Sequence, residues 1–184
     1  MPATGDIDRD RLHDSGPIRP PGRRETPPDL SADEARDLVD AVLTGYGLEP
    51  QECTDRFGWR HLSLGSNSAQ VGVVKRLPET QYLVVLAPVL KLPDDVQQLS
   101  GFYQLLLELN HDRTLSAHLS IQDKTVYACL ACPVHGLHEA QVDEAIRTVL
   151  TVADKYGEGL QEALETFVRQ ARPGALELPN IKMT

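Results

Sequence analysis

The sequence is poor in aromatic residues and cysteines, and it has no long apolar segment. Aromatic residues make up 5% of the 184 residues, with one tryptophan, and there are three cysteines. No apolar run approaches the roughly 18 residues that a transmembrane helix needs. The first ten residues lack the basic and apolar regions of a secretory signal. An odd and small number of cysteines excludes a disulfide scaffold, so we predict a protein of the reducing cytoplasm.

The sequence is also short of positive charge. Eighteen basic residues stand against 27 acidic residues, and the formal net charge is −9. Such a chain lacks the basic surface that neutralises phosphates, so we expect no direct binding to nucleic acid. An acidic surface steers basic partners instead. A basic protein, including one that itself handles nucleic acid, is the partner that this charge favours.

The motifs that mark common active sites are absent from the sequence. There is no G-x-S-x-G nucleophile elbow, no phosphate-binding G-x-x-x-x-G-K-[ST] loop and no G-x-G-x-x-G dinucleotide fingerprint. Paired acids such as Asp94 and Asp95 stand near predicted helix starts, where capping and the helix dipole account for them. We therefore predict a protein without enzymatic activity and without a cofactor.

Proline divides the chain into a tail and a domain. Residues 1–28 hold six of the 13 prolines and few aliphatic side chains, so little apolar surface is available there to offset the entropy of ordering. We predict a flexible N-terminal tail over 1–28, an α+β domain over 29–172 and a C-terminal tail over 173–184. A domain of that length can bury a sizeable core without a metal or a disulfide.

Hydrophobic periodicity predicts the elements of this domain. Ser31 and Glu34 form the S-x-x-E pattern of a capping box ahead of a helical apolar stripe. The predicted elements are a helix from Ser31, strands over 59–64, 69–77 and 82–92, a helix over 93–110, strands over 115–121 and 125–134, and a helix over 138–171. Short links between strands favour antiparallel pairing. The fold class is α+β, with a largely antiparallel five-stranded sheet and three helices in the order α-β-β-β-α-β-β-α.

One cluster has the residue types of a metal or redox site, and it consists of Cys129, Cys132, His135 and His138. All four side chains can bind zinc, and the first pair has C-x-x-C spacing. Residues three apart on a strand point to opposite faces of a sheet, however, and both cysteines fall in a predicted strand. We favour buried thiols that act as small hydrophobic groups. A thiol- or zinc-based regulatory sensor remains the alternative.

The order of the elements also resembles a known family. The run Leu105–Asn110, followed by two strands, Pro133-Val134 and a long helix with Ala153-Asp154, looks like the YbjN family. That family in turn resembles small type III secretion chaperones related to the Tir chaperone. The resemblance implies a small acidic homodimer without enzymatic activity, which holds an extended segment of a client protein. The proline-rich N-terminal extension and the tail after Pro173 depart from that pattern.

These observations lead to the hypothesis of a non-catalytic, homodimeric, chaperone- or adaptor-like module. The partner would bind by strand addition at a sheet edge or in an apolar groove beside the first helix. Three apolar positions of that helix are candidates for the groove: Leu38, Val42 and Tyr46.

The second predicted helix is the candidate dimer interface, because it has more apolar surface than one side of a helix can bury. The residues that we assign to this interface are Phe102, Tyr103 and Leu106.

Overall fold

The computed structural model describes residues 30–76, 80–94, 99–112 and 116–171. The predicted N-terminal and C-terminal tails lie outside these residues. The elements in chain order are α1 (Ala32–Gly45), α2 (Pro50–Cys53), β1 (Arg60–Leu64), β2 (Asn67–Arg76), β3 (Thr80–Lys91), α3 (Ser100–Asp112), β4 (His118–Gln122), β5 (Thr125–Pro133) and α4 (Glu139–Ala171). The strands form one antiparallel sheet in the order β1-β2-β3-β5-β4. The predicted α+β class and the five-stranded antiparallel sheet are confirmed.

Two details of the helices differ from the prediction. The one-turn helix α2 was not predicted, and Pro50 at its start fits the first turn of a helix. The helix α3 begins at Ser100 and not near Pro93. The chain is still extended at Leu92, whose N–H donates to the Lys124 carbonyl oxygen at 2.7 Å.

The helix α4 contains two glycines and does not break at either of them. It runs without interruption through Gly157 and Gly159 from Glu139 to Ala171. Tyr156 and Leu160 flank these glycines and are both buried in the core. Their packing compensates for the roughly 1 kcal/mol that each glycine costs in a helix relative to alanine.

The start of α1 is the predicted capping box. The Ser31 hydroxyl accepts a hydrogen bond from the Glu34 N–H at 3.2 Å, and the Ser31 N–H donates to Glu34 Oε2 at 2.8 Å. The hydrogen bond from the Ser31 backbone holds the pKa of the Glu34 carboxyl below its ordinary value. This end of the helix is therefore specified locally.

Turn chemistry fixes the strand register at β4 and β5. Asp123 and Lys124 have φ values of 48° and 61° in the two-residue turn between them. Positive φ at both central residues is what a type I′ hairpin turn requires. In β3 the register shifts between Pro88 and Leu90. This irregularity begins at a proline, which has no N–H for the hydrogen-bond ladder of a central strand.

The two faces of the sheet have different surroundings. On the covered face, Leu83, Val85 and Ala87 of β3 are fully buried in one cluster with apolar side chains of the helices. Val84 is also buried, at 6% exposure, but it lies on the opposite face and outside that cluster. We call this second side the open face. Its partly exposed apolar side chains around Val84 are Trp59, Val74, Tyr82, Leu86 and Tyr127.

The helix α3 is fixed against the C-terminal half of α4. The rings of Phe102 and Phe167 meet edge to face, with centroids 6.2 Å apart. Gly101 permits this approach, because a Cβ at that position would stand 2.6 Å from Phe167 Cε1. Phe102 is fully buried, so one side of α3 belongs to the core of this chain.

Candidate partner-binding surfaces

The cysteine and histidine cluster does not form a metal site. Cys129 pairs with Leu86 on the open face, whereas Cys132 pairs with Leu83 and packs against the core on the covered face. Burial raises the pKa of the Cys132 thiol, which opposes a reactive thiolate. In the ranges that the structure describes, no three His, Cys, Asp or Glu side chains are close enough to hold a metal ion. This geometry contradicts the alternative of a zinc or paired-thiol sensor built on these residues with His135 and His138.

The three candidate positions on α1 lie against the rest of the domain. Val42 is buried in the core, and Leu38 and Tyr46 are half-buried at its margin. The Tyr46 hydroxyl donates a hydrogen bond to Asp143 Oδ1 of α4. Arg147 lies over the Tyr46 ring, with its guanidinium carbon 5.8 Å from the ring centroid. The contacts of Tyr46 thus join the end of α1 to α4.

Tyr46, Asp143 and Arg147 form a polar link between α1 and α4. Arg147 Nε donates to Asp143 Oδ2 at 2.9 Å. Burial, followed by the hydrogen bond to Asp143, raises the pKa of Tyr46 to about 12. The hydrogen bonds from Tyr46 and then Arg147 lower the pKa of the Asp143 carboxyl. Near neutral pH the Asp143 carboxylate is therefore ionised, and it accepts a hydrogen bond from the neutral Tyr46 phenol.

The candidate dimer helix has a buried side and an exposed side. Phe102 and Leu106 belong to the core of their own chain, at 0% and 4% exposure. Tyr103 is 42% exposed and Leu107, one turn later, is 68% exposed. Ile121 on the neighbouring strand β4 is 44% exposed. Of the three residues assigned to the dimer interface, only Tyr103 is therefore exposed on the single chain, whereas Phe102 and Leu106 pack in its core.

Sequence reasoning did not assign Leu107 and Ile121 to this surface. The signal for Leu107 was its spacing of four residues from Tyr103, which places the two side chains on the same face of a helix. No comparable signal existed for Ile121, which alternates with polar residues as a core residue would. It is exposed because β4 lies at the margin of the sheet.

The edge strand β4 is blocked against strand addition at its centre. The Asn110 side chain donates from Nδ2 to the Leu119 carbonyl oxygen at 3.0 Å, and its Oδ1 accepts from the Leu119 N–H at 2.7 Å. The amide thus occupies both backbone groups that an added strand would need at Leu119. Asn110 reaches this edge from within α3, which continues to Asp112.

A rigid turn positions the single tryptophan on the open face. Asp55 Oδ1 accepts from the backbone N–H groups of Phe57 at 2.8 Å and Trp59 at 2.9 Å. The Trp59 ring lies across Gly72, where an added Cβ would stand 2.7 Å from Trp59 Cε3. Gly72 pairs directly with Val84. The tryptophan and the glycine together therefore form a closely packed apolar floor beside Val84.

Charge is divided unevenly between helices and strands. The helices α1 and α4 carry eleven carboxylates and four basic side chains. The 41 residues of the five strands include no aspartate or glutamate. The negative charge of the described domain is thus concentrated on the helical side, away from the sheet.

Two grooves lie between the sheet and α4. One, of about 680 Å³, lies between the end of β3 and the last turns of α4, and it has both charge signs at its rim through Lys91, Asp94, Glu165 and Arg169. The other, of about 430 Å³, includes Cys132 in its wall.

None of the helices in the described ranges is both long and apolar enough to cross a membrane.

Solved structures with the same fold include two complexes of proteins with their partners. A chain of the ExsC–ExsE complex shares 16% identity, with a TM-score of 0.54, over 72% of this chain and 97% of that one. A chain of the HopA1–SchA chaperone–effector complex shares 13% identity, with a TM-score of 0.51, over 72% of this chain and 99% of that one. The fold is therefore that of type III secretion chaperones.

Sequence comparison gives a family match. No curated protein matches the chain closely enough to count as a relative. The model of the YbjN family, described as "Putative bacterial sensory transduction regulator", matches residues 35–162. The match spans α1 to the middle of α4 and includes the whole sheet.

Proposed function

Because the chain belongs to the YbjN family, we propose that it is a non-catalytic, homodimeric module that binds a partner protein, in the manner of a chaperone or an adaptor. Its fold neighbours are chains of protein complexes, one of them a chaperone–effector complex. The cysteines, none of which is in a disulfide, are consistent with action in a reducing cytoplasm.

The observation that carries this proposal is the exposed apolar surface of α3 and β4. Four large hydrophobic side chains of the described residues are exposed, and three of them are Tyr103, Leu107 and Ile121. The helix α3 packs beside β4, and exposed apolar side chains on neighbouring elements are typical of interaction sites in soluble proteins. We assign this α3–β4 surface to the second copy of the chain, with Tyr103 and Leu107 at its centre.

The partner protein would then bind elsewhere on each copy. Val42 is buried, Leu38 and Tyr46 pack against the core, and the Tyr46 hydroxyl is bonded to Asp143 of α4. Asn110 blocks the centre of the β4 edge. A basic partner would be drawn toward the carboxylates of α1 and α4 at long range, and such steering weakens as salt is added.

The dimer is tested by light scattering combined with circular dichroism. We expect the wild-type protein to have twice the chain mass, and the Tyr103→Asp variant to be a folded monomer, because a charge in the centre of an apolar interface is costly to desolvate. Phe57→Asp is the matched control, since Phe57 is 74% exposed but lies on another part of the surface. A Tyr103→Asp variant that stays dimeric would contradict the assignment.

A further inference from the structure

The open face is a preformed apolar surface. Trp59 is fixed by the backbone hydrogen bonds of its turn to Asp55 and by the close contact with Gly72. Tyr82, Leu86 and Tyr127 surround this floor and remain half-exposed. A surface that is ordered before binding loses little conformational entropy when a ligand covers it.

The open face is large enough for a specific contact. The sheet contains 41 strand residues, and each covers about 16 Å² of the sheet plane, given a rise of about 3.3 Å and a strand spacing of about 4.8 Å. The projected area is roughly 650 Å², which approaches the roughly 800 Å² of accessible surface that each partner buries in a standard interface. An amphipathic helix of several turns fits within this area.

The charge around the open face is positive or neutral. By strand register, His61, Lys91 and His118 are on the same side of the sheet as Tyr82. Lys91 is the last residue of β3, so it also borders the groove beside α4. The nearby carboxylate of Asp55 is bonded to His61 at 3.1 Å, and that of Asp94 is bonded to Lys124 at 2.8 Å. In the described strands no carboxylate would face a ligand on this surface.

We propose that the open face binds an amphipathic helix of the partner protein, whose apolar side is flanked by glutamate or aspartate. This inference rests on the proposed protein-binding function and specifies its surface and ligand chemistry. The apolar side covers Trp59, Tyr82 and Leu86, and a flanking carboxylate pairs with Lys91. Repulsion from the carboxylates of α1 and α4 directs such a helix away from the helical side and toward the sheet.

The single tryptophan provides the measurement. Trp59 is the one tryptophan of the chain, so its fluorescence reports directly on the open face. Two synthetic helical peptides of about 18 residues, or five turns, would carry the same leucine and phenylalanine side, flanked in one by glutamates and in the other by lysines. We expect the glutamate peptide to shift Trp59 emission to the blue and to bind roughly fivefold tighter at low salt, as a few exposed charge pairs allow.

Matched variants locate the contact. Tyr82→Ser on the open face should weaken binding of the glutamate peptide, whereas Gln161→Ser at an exposed position of α4 should not. Lys91→Glu should reverse the preference between the two peptides, whereas Lys155→Glu on α4 should leave it unchanged. Circular dichroism establishes that each variant is folded. Both lysines are exposed, so their replacement does not disturb the packing of the core.

Three results would overturn the inference. The first is a lysine peptide that binds tighter and shifts Trp59 emission, and the second is the absence of a shift with either peptide. The third is a blue shift that grows with protein concentration without peptide, because a second copy would then cover the open face. Light scattering separates these results from the proposed function, since a dimer that depends on Tyr103 stands even when the peptides fail to bind.

Discussion

The covered face and the open face of the same sheet are built from the same strands but have different surroundings. Leu83 and Val85 pack into the core beneath the helices, whereas Val84 between them packs beside Trp59 on the other side. Burial is therefore nearly equal for the three residues, although their neighbours differ. A sheet covered on one face by helices leaves the other face to be completed by a few aromatic side chains or by a partner.

The helices and the sheet also differ in the number of carboxylates that they carry. The helices that cover one face carry the carboxylates on their solvent side, while the strands carry none. Net charge by itself had suggested a basic partner. We propose that this preference belongs to the helical side and that the open face instead selects an apolar helix flanked by carboxylates.

The largest change in the free energy of unfolding is expected for a substitution in the core between α3 and α4. Phe102→Ala removes a fully buried ring that contacts Phe167, and we expect a loss of about 3–5 kcal/mol in the free energy of unfolding. Tyr103→Ala, one residue later and 42% exposed, should cost less than about 1 kcal/mol. Urea denaturation followed by circular dichroism measures both. Equal losses would show that α3 has no distinct buried side.

The second effect concerns the ion pair that ties α1 to β1. Arg60 is 7% exposed and donates to both carboxylate oxygens of Asp40, at 2.8 and 2.9 Å. Asp40→Ala leaves the guanidinium with the Gly58 carbonyl oxygen, and we expect a loss of about 2–3 kcal/mol. The exposed Asp37 on the same helix is the control, and its replacement by alanine should change stability by less than about 0.5 kcal/mol. An Asp40→Ala variant with an unchanged free energy of unfolding would mean that water solvates Arg60.

The third effect tests the open face directly. Gly72→Ala places a methyl group against the Trp59 ring, and we expect a loss of about 1–2 kcal/mol together with a red shift of tryptophan emission. Gly157→Ala in α4 meets no atom within 4 Å and should stabilise the protein by about 0.5–1 kcal/mol. Thermal denaturation and fluorescence check the pair. Unchanged emission in Gly72→Ala would show that Trp59 does not lie on that glycine.

The smallest expected effect is the pH dependence of the stability that the Tyr46–Asp143 hydrogen bond contributes between α1 and α4. The folded-state pKa of Tyr46 is raised from 10.0 to about 12, so its contribution is present below pH 10 and is lost as pH rises toward 12. The pKa of Asp143 is lowered from 3.8, so that contribution is present above this value and is lost as pH falls below it.

Wild type should therefore exceed Tyr46→Phe in stability by less than about 1 kcal/mol, and only between these limits. Urea denaturation midpoints of the two proteins at acid, neutral and alkaline pH would measure the difference. A difference that is the same at every pH would show that the hydrogen bond to Asp143 contributes nothing.

Much of the fold was predictable because its determinants are local. Ser31 and Glu34 specify the start of α1, and Pro88 marks the bulge in β3. Alternating valines and short turns specify an antiparallel sheet. The start of α3 was not predictable, because Leu92 is held by a backbone hydrogen bond to Lys124, far along the chain. Propensity carries no information about such contacts.

The candidate surfaces were predicted less well for the same reason. Apolar periodicity shows that α1 and α3 have apolar sides, but it does not show which side a neighbouring helix covers. Val42 and Phe102 are core residues because α4 and the sheet lie over them. Leu107 is exposed because nothing in the described chain packs there.

The sequence by itself determined the composition of the elements, the antiparallel hairpins and the separation of carboxylates from strands, because each depends on residues that are close in the chain. Only the tertiary structure decided that Asn110 blocks the β4 edge and that Trp59 lies on Gly72. These contacts join separate elements, and the packing of those elements sets their distances.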